Sequence, residues 1–233
     1  MPTHLPVSAA VLNALRQNGV RFAHWKSNFH LAEALAGKTD LDLLIDAIDT
    51  GAFRANMKAL RARRVISRPW ASYLDVEDWL VFDRTTGGVL HIHVHYALVT
   101  GLKRVKHLHL PWTQTVLSHL SNDPASNWPI PVASLELLIL LIRIWARMPP
   151  WRRLFALSIP RHILQELRWQ EAETDVEEFS SLASAVGLTV MTMPPFADTK
   201  AILAASRNLF SQVKRHYLMS RPSVLAQAAL LNL

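Results

Sequence analysis

The chain has no cysteine. That excludes disulfides, thiolate metal centres and cysteine nucleophiles, and it gives no sign of an oxidising compartment. Glycine is scarce at 7 of 233 residues, and no GxxxxGK[ST] run is present, so a kinase-type phosphate loop is excluded. Acidic residues number 18 against 25 lysines and arginines, a formal charge of +7. Long apolar runs are missing too. The strongest, Leu135–Trp145, is too short to span a bilayer and contains Glu136 and Arg143, so a buried helix is expected there and no transmembrane segment. The opening MPTHLPVSAAVLNALRQ lacks a basic region followed by an apolar core, so no signal peptide is expected and the expected location is the cytoplasm. Neither a fixed-period repeat nor a low-complexity tract is found.

Half of the residues are hydrophobic, enough for a substantial core in a chain of this length. The basic excess favours an anionic partner such as a nucleotide, a nucleic acid or an anionic lipid. The cations are nevertheless dispersed: Arg61, Arg63 and Arg64 end a helix, Lys103, Arg104 and Lys106 follow a strand, and Arg152 and Arg153 lie further on. Helix C-termini and solvated surfaces account for such groups without a nucleic acid.

Periodicity divides the chain. A helix capped by Ser8 runs to about Asn18 and stops at Gly19. A strand Val20–Trp25, a polar turn Lys26-Ser27-Asn28, a short helix Phe29–Ala36 and a strand Asp40–Ile45 follow. Thr50 is expected to cap a helix from Ala52 to Arg64, with Phe53, Met57 and Leu60 on its apolar stripe. Val65–Arg68 reads as a short strand and Pro69–Glu77 as an irregular connection, with Asp75, Glu77 and Asp78 clustered before the hairpin as solvated loop residues. Trp79–Phe82 and Val89–Tyr96 read as a hairpin around Thr85–Gly88. Its second strand puts Leu90, Ile92, Val94 and Tyr96 on one face and His91, His93 and His95 on the other.

A short helix Thr113–Leu120 and a linker Asn122–Pro131 come next. From Ser134 the period is helical: Ser134–Arg147, Trp151–Leu157, Arg161–Gln170, Asp175–Val186, Lys200–Tyr217 and Ser223–Leu231. The expected organisation is an α/β domain over residues 1–121 and a helical domain over residues 132–233.

Asp40 and Asp42, two apart on one strand, project from the same face, where they repel each other unless a cation lies between them. Oxygen ligands of this kind suit Mg²⁺, with Mn²⁺ as the alternative. A helix start just before that strand offers N–H groups to phosphate. The three histidines of Val89–Tyr96 have the spacing of zinc ligands, although histidines on a polar strand face more often line a cleft.

These segments resemble the nucleotidyltransferase superfamily with the DNA polymerase β-like fold. Within it they are most similar to an uncharacterised branch sometimes found ahead of a thymidylate-kinase-like domain. The resemblance is carried by HWKSN, GKTDLDLLID, HIHVHY followed by Leu-x-x-Gly, KHLHLPW and the apolar helix Glu136–Arg143, over roughly residues 20–145. It implies a mixed sheet flanked by helices and a Mg²⁺-dependent transfer of a nucleoside monophosphate from an NTP to an unknown acceptor: a small molecule, a polysaccharide precursor, a protein or an RNA. It further implies Asp40 and Asp42 as metal ligands, Ser27 and the helix start at Asn28 as phosphate holders, and Lys26 and Lys38 as charge stabilisers. Lys26 stands where that superfamily usually has glycine, and His93 occupies the place of its third carboxylate, as a metal ligand or a general base. The alternative is an inactive module of the same fold that binds a nucleotide or sugar-nucleotide. The spacing Arg-x4–6-His of a partner ribonuclease toxin is absent from the helical half.

Overall fold

A computed structural model of the chain describes residues 4–66, 73, 75–102, 106, 108–149, 159–189 and 193–217, with side chains as far as residue 213. The expected helices Trp151–Leu157 and Ser223–Leu231 lie outside the described residues, as does most of the connection before Asp75. The chain divides into two compact units, one of Met1–Leu98 with Thr113–Pro131 and the other of Val99–Trp112 with Val132–Leu233.

The first unit is built on a five-stranded mixed sheet. Its strands are β1 (Phe22–His24), β2 (Leu41–Ile45), β3 (Arg63–Val65), β4 (Val76–Phe82) and β5 (Val89–His95), in the spatial order β1-β2-β5-β4-β3. Only β2 and β5 run parallel; the other neighbours are antiparallel. Alternation sends Leu41, Leu43 and Ile45 of β2, Leu90, Ile92 and Val94 of β5, and Trp79 and Val81 of β4 into one core, where each is buried. Helices α1 (Pro6–Gln17), α2 (Leu31–Leu35) and α3 (Thr50–Ala59) cover that face with Val11, Leu12, Leu15, Leu31, Leu35, Phe53 and Met57. Phe53 meets Trp79 edge-on at 6.0 Å between ring centroids.

Several boundaries differ from those expected, each for a local reason. Helix α1 begins at Pro6, before Ser8, and its exposed Val7 N–H is satisfied from a distance by Asp83 Oδ2 at 2.7 Å. Ser8 Oγ instead donates to the Leu5 carbonyl. Helix α3 stops at Ala59 because Arg61 adopts a left-handed φ of 57° and the chain enters β3. Strand β4 starts at Val76, so Glu77 is buried in the sheet and Asp78 sits within it, neither in a solvated loop. Gly37 has a φ of +70°, and a Cβ there would lie 2.8 Å from the Val89 carbonyl; only glycine lets the chain turn into β2 so close to β5.

The segment expected as a linker also has structure. After α4 (Thr113–Ser118), strands β8 (Leu120–Asn122) and β9 (Pro129–Pro131) pair antiparallel. Their turn delivers Trp128 into the sheet's core cluster, 5.8 Å edge-on from Phe22.

In the second unit, β6 (Leu98–Thr100), which starts at the unit boundary, pairs with β7 (Leu108–Leu110). The rest of the unit is helical: α5 (Ala133–Arg147), α6 (Arg161–Glu173), α7 (Val176–Ala185) and α8 (Thr199–Tyr217). Leu135 to Ile142 of α5 are all buried, as expected of a central helix packed by α6, α7 and α8. Asp175 caps α7 through the Glu178 N–H at 2.7 Å. Among the described residues no helix is long and apolar enough to cross a membrane.

One carboxylate fixes the far side of the first sheet. Glu77 accepts hydrogen bonds from Arg54 of α3, from the Trp79 indole at 2.9 Å and from the Tyr96 hydroxyl at 3.0 Å, and it pairs with Arg64 of β3 at 3.0 Å. Burial raises its pKa, but these donors and cations outweigh it and the value falls below the ordinary 4.5. A carboxyl depressed by folding contributes stability above its unfolded pKa and loses it as pH falls through the folded one. Stability measured by urea unfolding is therefore expected to fall with acidification below about pH 4.5, and Glu77→Gln to flatten that slope. An unchanged slope in the variant contradicts the assignment.

Candidate functional site

The site lies on the sheet face opposite this core, where β1, β2 and β5 meet. Trp25 extends the β1–β2 ladder by one bond, its N–H donating to the Asp42 carbonyl at 3.0 Å. The chain then reverses through Lys26 and Ser27, with φ values of 64° and 75°. Two consecutive non-glycine residues in the left-handed region cost about 1–2 kcal/mol each. Lysine thus takes a backbone shape that glycine adopts freely, and the strain marks a place where position matters.

A single 3₁₀ turn, Asn28–His30, precedes α2, so the helix expected over Phe29–Ala36 is only five residues long and offers no developed dipole to a phosphate. Asn28 is directed inward: its Oδ1 lies 2.6 Å from His24 Nδ1, and both residues are buried. Burial holds His24 below its usual pKa, so a neutral ring donates to Asn28. The Oδ1 of Asn28 is thereby engaged within the protein. Ser27 Oγ is shielded from solvent and has no hydrogen-bond partner. Lys38 is exposed in the turn before β2.

The left-handed turn carries the Lys26 side chain over β2 and β5. Its Nζ lies 2.7 Å from Asp42 Oδ1, 2.6 Å from His95 Nε2 and 4.7 Å from the centroid of the Trp25 ring. The parallel pairing of β2 with β5 sets Asp42 opposite His93, whose Nδ1 is 3.0 Å from the same Oδ1, and His95 Nε2 reaches that oxygen at 3.2 Å. One carboxylate oxygen therefore has three nitrogen neighbours. Burial raises the Asp42 pKa, but the Lys26 charge and the hydrogen bonds from His93 and His95 overcome it and hold the group well below the usual carboxylate range. His95, fully buried beneath the Trp25 ring at 4.9 Å, is pushed well below its usual value by desolvation and by the Lys26 charge.

Asp40 belongs to an adjoining cluster, linked to the first through Asp78, whose Oδ1 also lies 4.0 Å from His93 Nε2. Asp40 lies one residue before β2, its side chain is 57% exposed, and its Oδ1 bonds to His91 Nδ1 at 2.7 Å. The other ring nitrogen of His91 bonds to Asp78 Oδ1 at 3.0 Å. Held between two carboxylates, His91 is pushed up to about 10 and is an imidazolium at neutral pH, and its hydrogen bond lowers Asp40. The two aspartates do share a face, as the i, i+2 spacing requires, but each is compensated by its own partners.

This bears on the expected metal. Among the described residues, the group able to offer one ligand atom each within 4.8 Å is Asp42, His93 and His95, without Asp40. Two imidazoles and one carboxylate, with an ammonium against them, do not fit Mg²⁺ or Mn²⁺, which favour oxygen donors. Of the residues singled out by the sequence pattern, Lys26, Asp42 and His93 come together; Asp40, Asn28 and Lys38 do not join them. Asp78, expected in a solvated loop, joins His91, and His95, weighed in the sequence only with the other two histidines as a zinc ligand, joins Asp42. The clean alternation of the three histidines was the available signal, but their partners depend on strand register.

The strain at the turn yields an expectation. Ser27→Gly relieves a left-handed serine and removes a buried hydroxyl without a partner, so it should stabilise the fold by about 1 kcal/mol in urea unfolding. Destabilisation by that substitution contradicts the assignment of strain.

No protein-family model and no curated protein matches the chain. Among solved structures, the antibiotic-resistance factor ANT(2'')-Ia is similar with a TM-score of 0.46 and 11% sequence identity, over 91% of this chain and 95% of that one.

Proposed function

We propose that the chain is a nucleotidyltransferase, with an α/β catalytic domain over residues 1–121 and a helical domain over residues 132–233, that moves a nucleoside monophosphate from an NTP to an acceptor hydroxyl or phosphate. The observation that supports this reading is the convergence of Lys26 Nζ and His93 Nδ1 on one Asp42 oxygen at the strained turn, within the sequence pattern that resembles polymerase β-like enzymes.

The chain's own residues supply the steps. Asp42 accepts the Nδ1–H of His93, which fixes the tautomer and leaves Nε2 as the basic nitrogen. His93 takes the proton of the acceptor hydroxyl as its oxygen attacks the α-phosphorus. The bond to the β-phosphate oxygen breaks, and pyrophosphate leaves with its electron pair. Lys26, a flexible ammonium, turns toward the phosphates and offsets the charge that develops there. Ser27 Oγ, which lacks a partner within the protein, donates to a phosphate oxygen. Mg²⁺ has no step in this scheme, because the donor set does not suit it.

A second reading, a non-catalytic module that binds a nucleotide or sugar-nucleotide, is favoured by the engagement of Asp40 with His91, which leaves a single carboxylate in the cluster. Incubation with NTPs labelled at the α-phosphate separates the two. Label transfer with pyrophosphate release supports the enzyme; saturable binding without turnover supports the module. Asp42→Asn and His93→Gln are each expected to retain the fold and to lower label transfer by about 10²-fold or more. An unchanged rate in either variant contradicts the assigned role.

A further inference from the structure

Beside the Lys26 ammonium, Asp42, His93 and His95 each offer a ligand atom within 4.8 Å of the others. Asp42 Oδ1 and His95 Nε2 lie 2.7 and 2.6 Å from one Nζ and 3.2 Å from each other, and His93 Nδ1 is 3.0 Å from the same oxygen. His95 shows why a cation belongs there. Its Nε2, facing both groups, has either a proton or a lone pair. With a proton it donates to Asp42 and meets the Lys26 N–H head-on. With a lone pair it accepts from Lys26 but faces the Asp42 carboxylate, and the proton then sits on Nδ1, which is buried without a partner. Only a positive charge between Nε2 and the carboxylate reconciles the two acceptors, and the ammonium provides it here.

We infer that Asp42, His93 and His95 form a binding site for an imidazole-preferring divalent ion of the zinc, iron or nickel class, and that the Lys26 ammonium is a resident counter-charge that such an ion must displace. The donor chemistry selects the class, since imidazole suits these ions and disfavours Mg²⁺. The geometry sets the competition, because the ammonium bonds to two of the donor groups themselves. Lys26 stands on a four-carbon stem from a turn at the edge of the site, so displacement needs only rotation of a side chain. The consequence for activity rests on the transfer reading above: an ion that takes His93 as a ligand removes the base, so metal occupancy and transfer are alternative states. The binding site itself does not depend on that reading.

The test uses the full chain without nucleotide, titrated with CoCl₂ and followed by calorimetry and by the visible absorption bands of Co²⁺. Lys26→Met is expected to bind Co²⁺ at least about tenfold more tightly than the unsubstituted chain. That gain is expected to disappear in Lys26→Met/His95→Gln and to survive in Lys26→Met/His91→Gln, because His91 lies outside the ligand group. No gain in Lys26→Met overturns the proposal. So does a gain that survives His95→Gln, which would report general relief of positive charge and no defined ligand set. Should circular dichroism show Lys26→Met to be unfolded, Lys26→Gln is read by the same criteria. Failure of label transfer with intact metal binding would count against the transfer reading alone.

Discussion

The arrangement depends on one ion pair, Lys26 with Asp42. Asp42 projects from a central strand onto a face it shares with two imidazoles, and its side chain is only 19% exposed. A carboxylate in that position is costly unless a cation and hydrogen-bond donors meet it. Lys26 meets that need from a turn whose two residues accept left-handed backbone angles. Local strain is thus offset by electrostatics across three strands. The same contact underlies the function proposed here: the ammonium that neutralises Asp42 is the group proposed to turn outward to phosphate or to yield to a metal ion, and either event changes what faces Asp42 and His95.

Two carboxylates on opposite faces of the sheet show what makes one structural and the other adaptable. Glu77 on the core side is held by two arginines, an indole and a phenol drawn from four segments of the chain. Those donors are anchored in α3, β3 and β4 and beside β5, so no single rotation releases the group. Asp42 relies on one flexible amine and two ring nitrogens that compete for one oxygen. The Asp42 network is only partly satisfied, since the Nδ1 of His95 is buried without a partner, as is the Oγ of Ser27 in the turn that carries Lys26.

Much of the fold was legible in the sequence. The alternation of Leu90, Ile92 and Val94 with the histidines identified both β5 and its core face, and the helical period from Ser134 identified α5 to α8. What escaped was information carried by distant segments. The cap of α1 comes from Asp83, and the apparent linker is a hairpin because Trp128 finds Phe22. At the site, the i, i+2 rule correctly set Asp40 and Asp42 on one face. Their separation into two clusters follows from the β2–β5 register and from the position of Asp78 across β4, neither of which local pattern encodes. That Lys26 would adopt a glycine-like angle and reach back over the sheet was likewise invisible in residue type.

A double-mutant cycle measures the central ion pair most directly. Urea unfolding of Lys26→Met, Asp42→Asn and the double variant isolates the energy of the contact from the cost of each side chain alone. The account predicts a favourable coupling of about 1.5–3 kcal/mol, the range of a hydrogen bond between charged groups, with the double variant more stable than the two single losses together imply. Losses that add to within about 0.5 kcal/mol would contradict it, because Lys26 and Asp42 would then be neighbours without being partners.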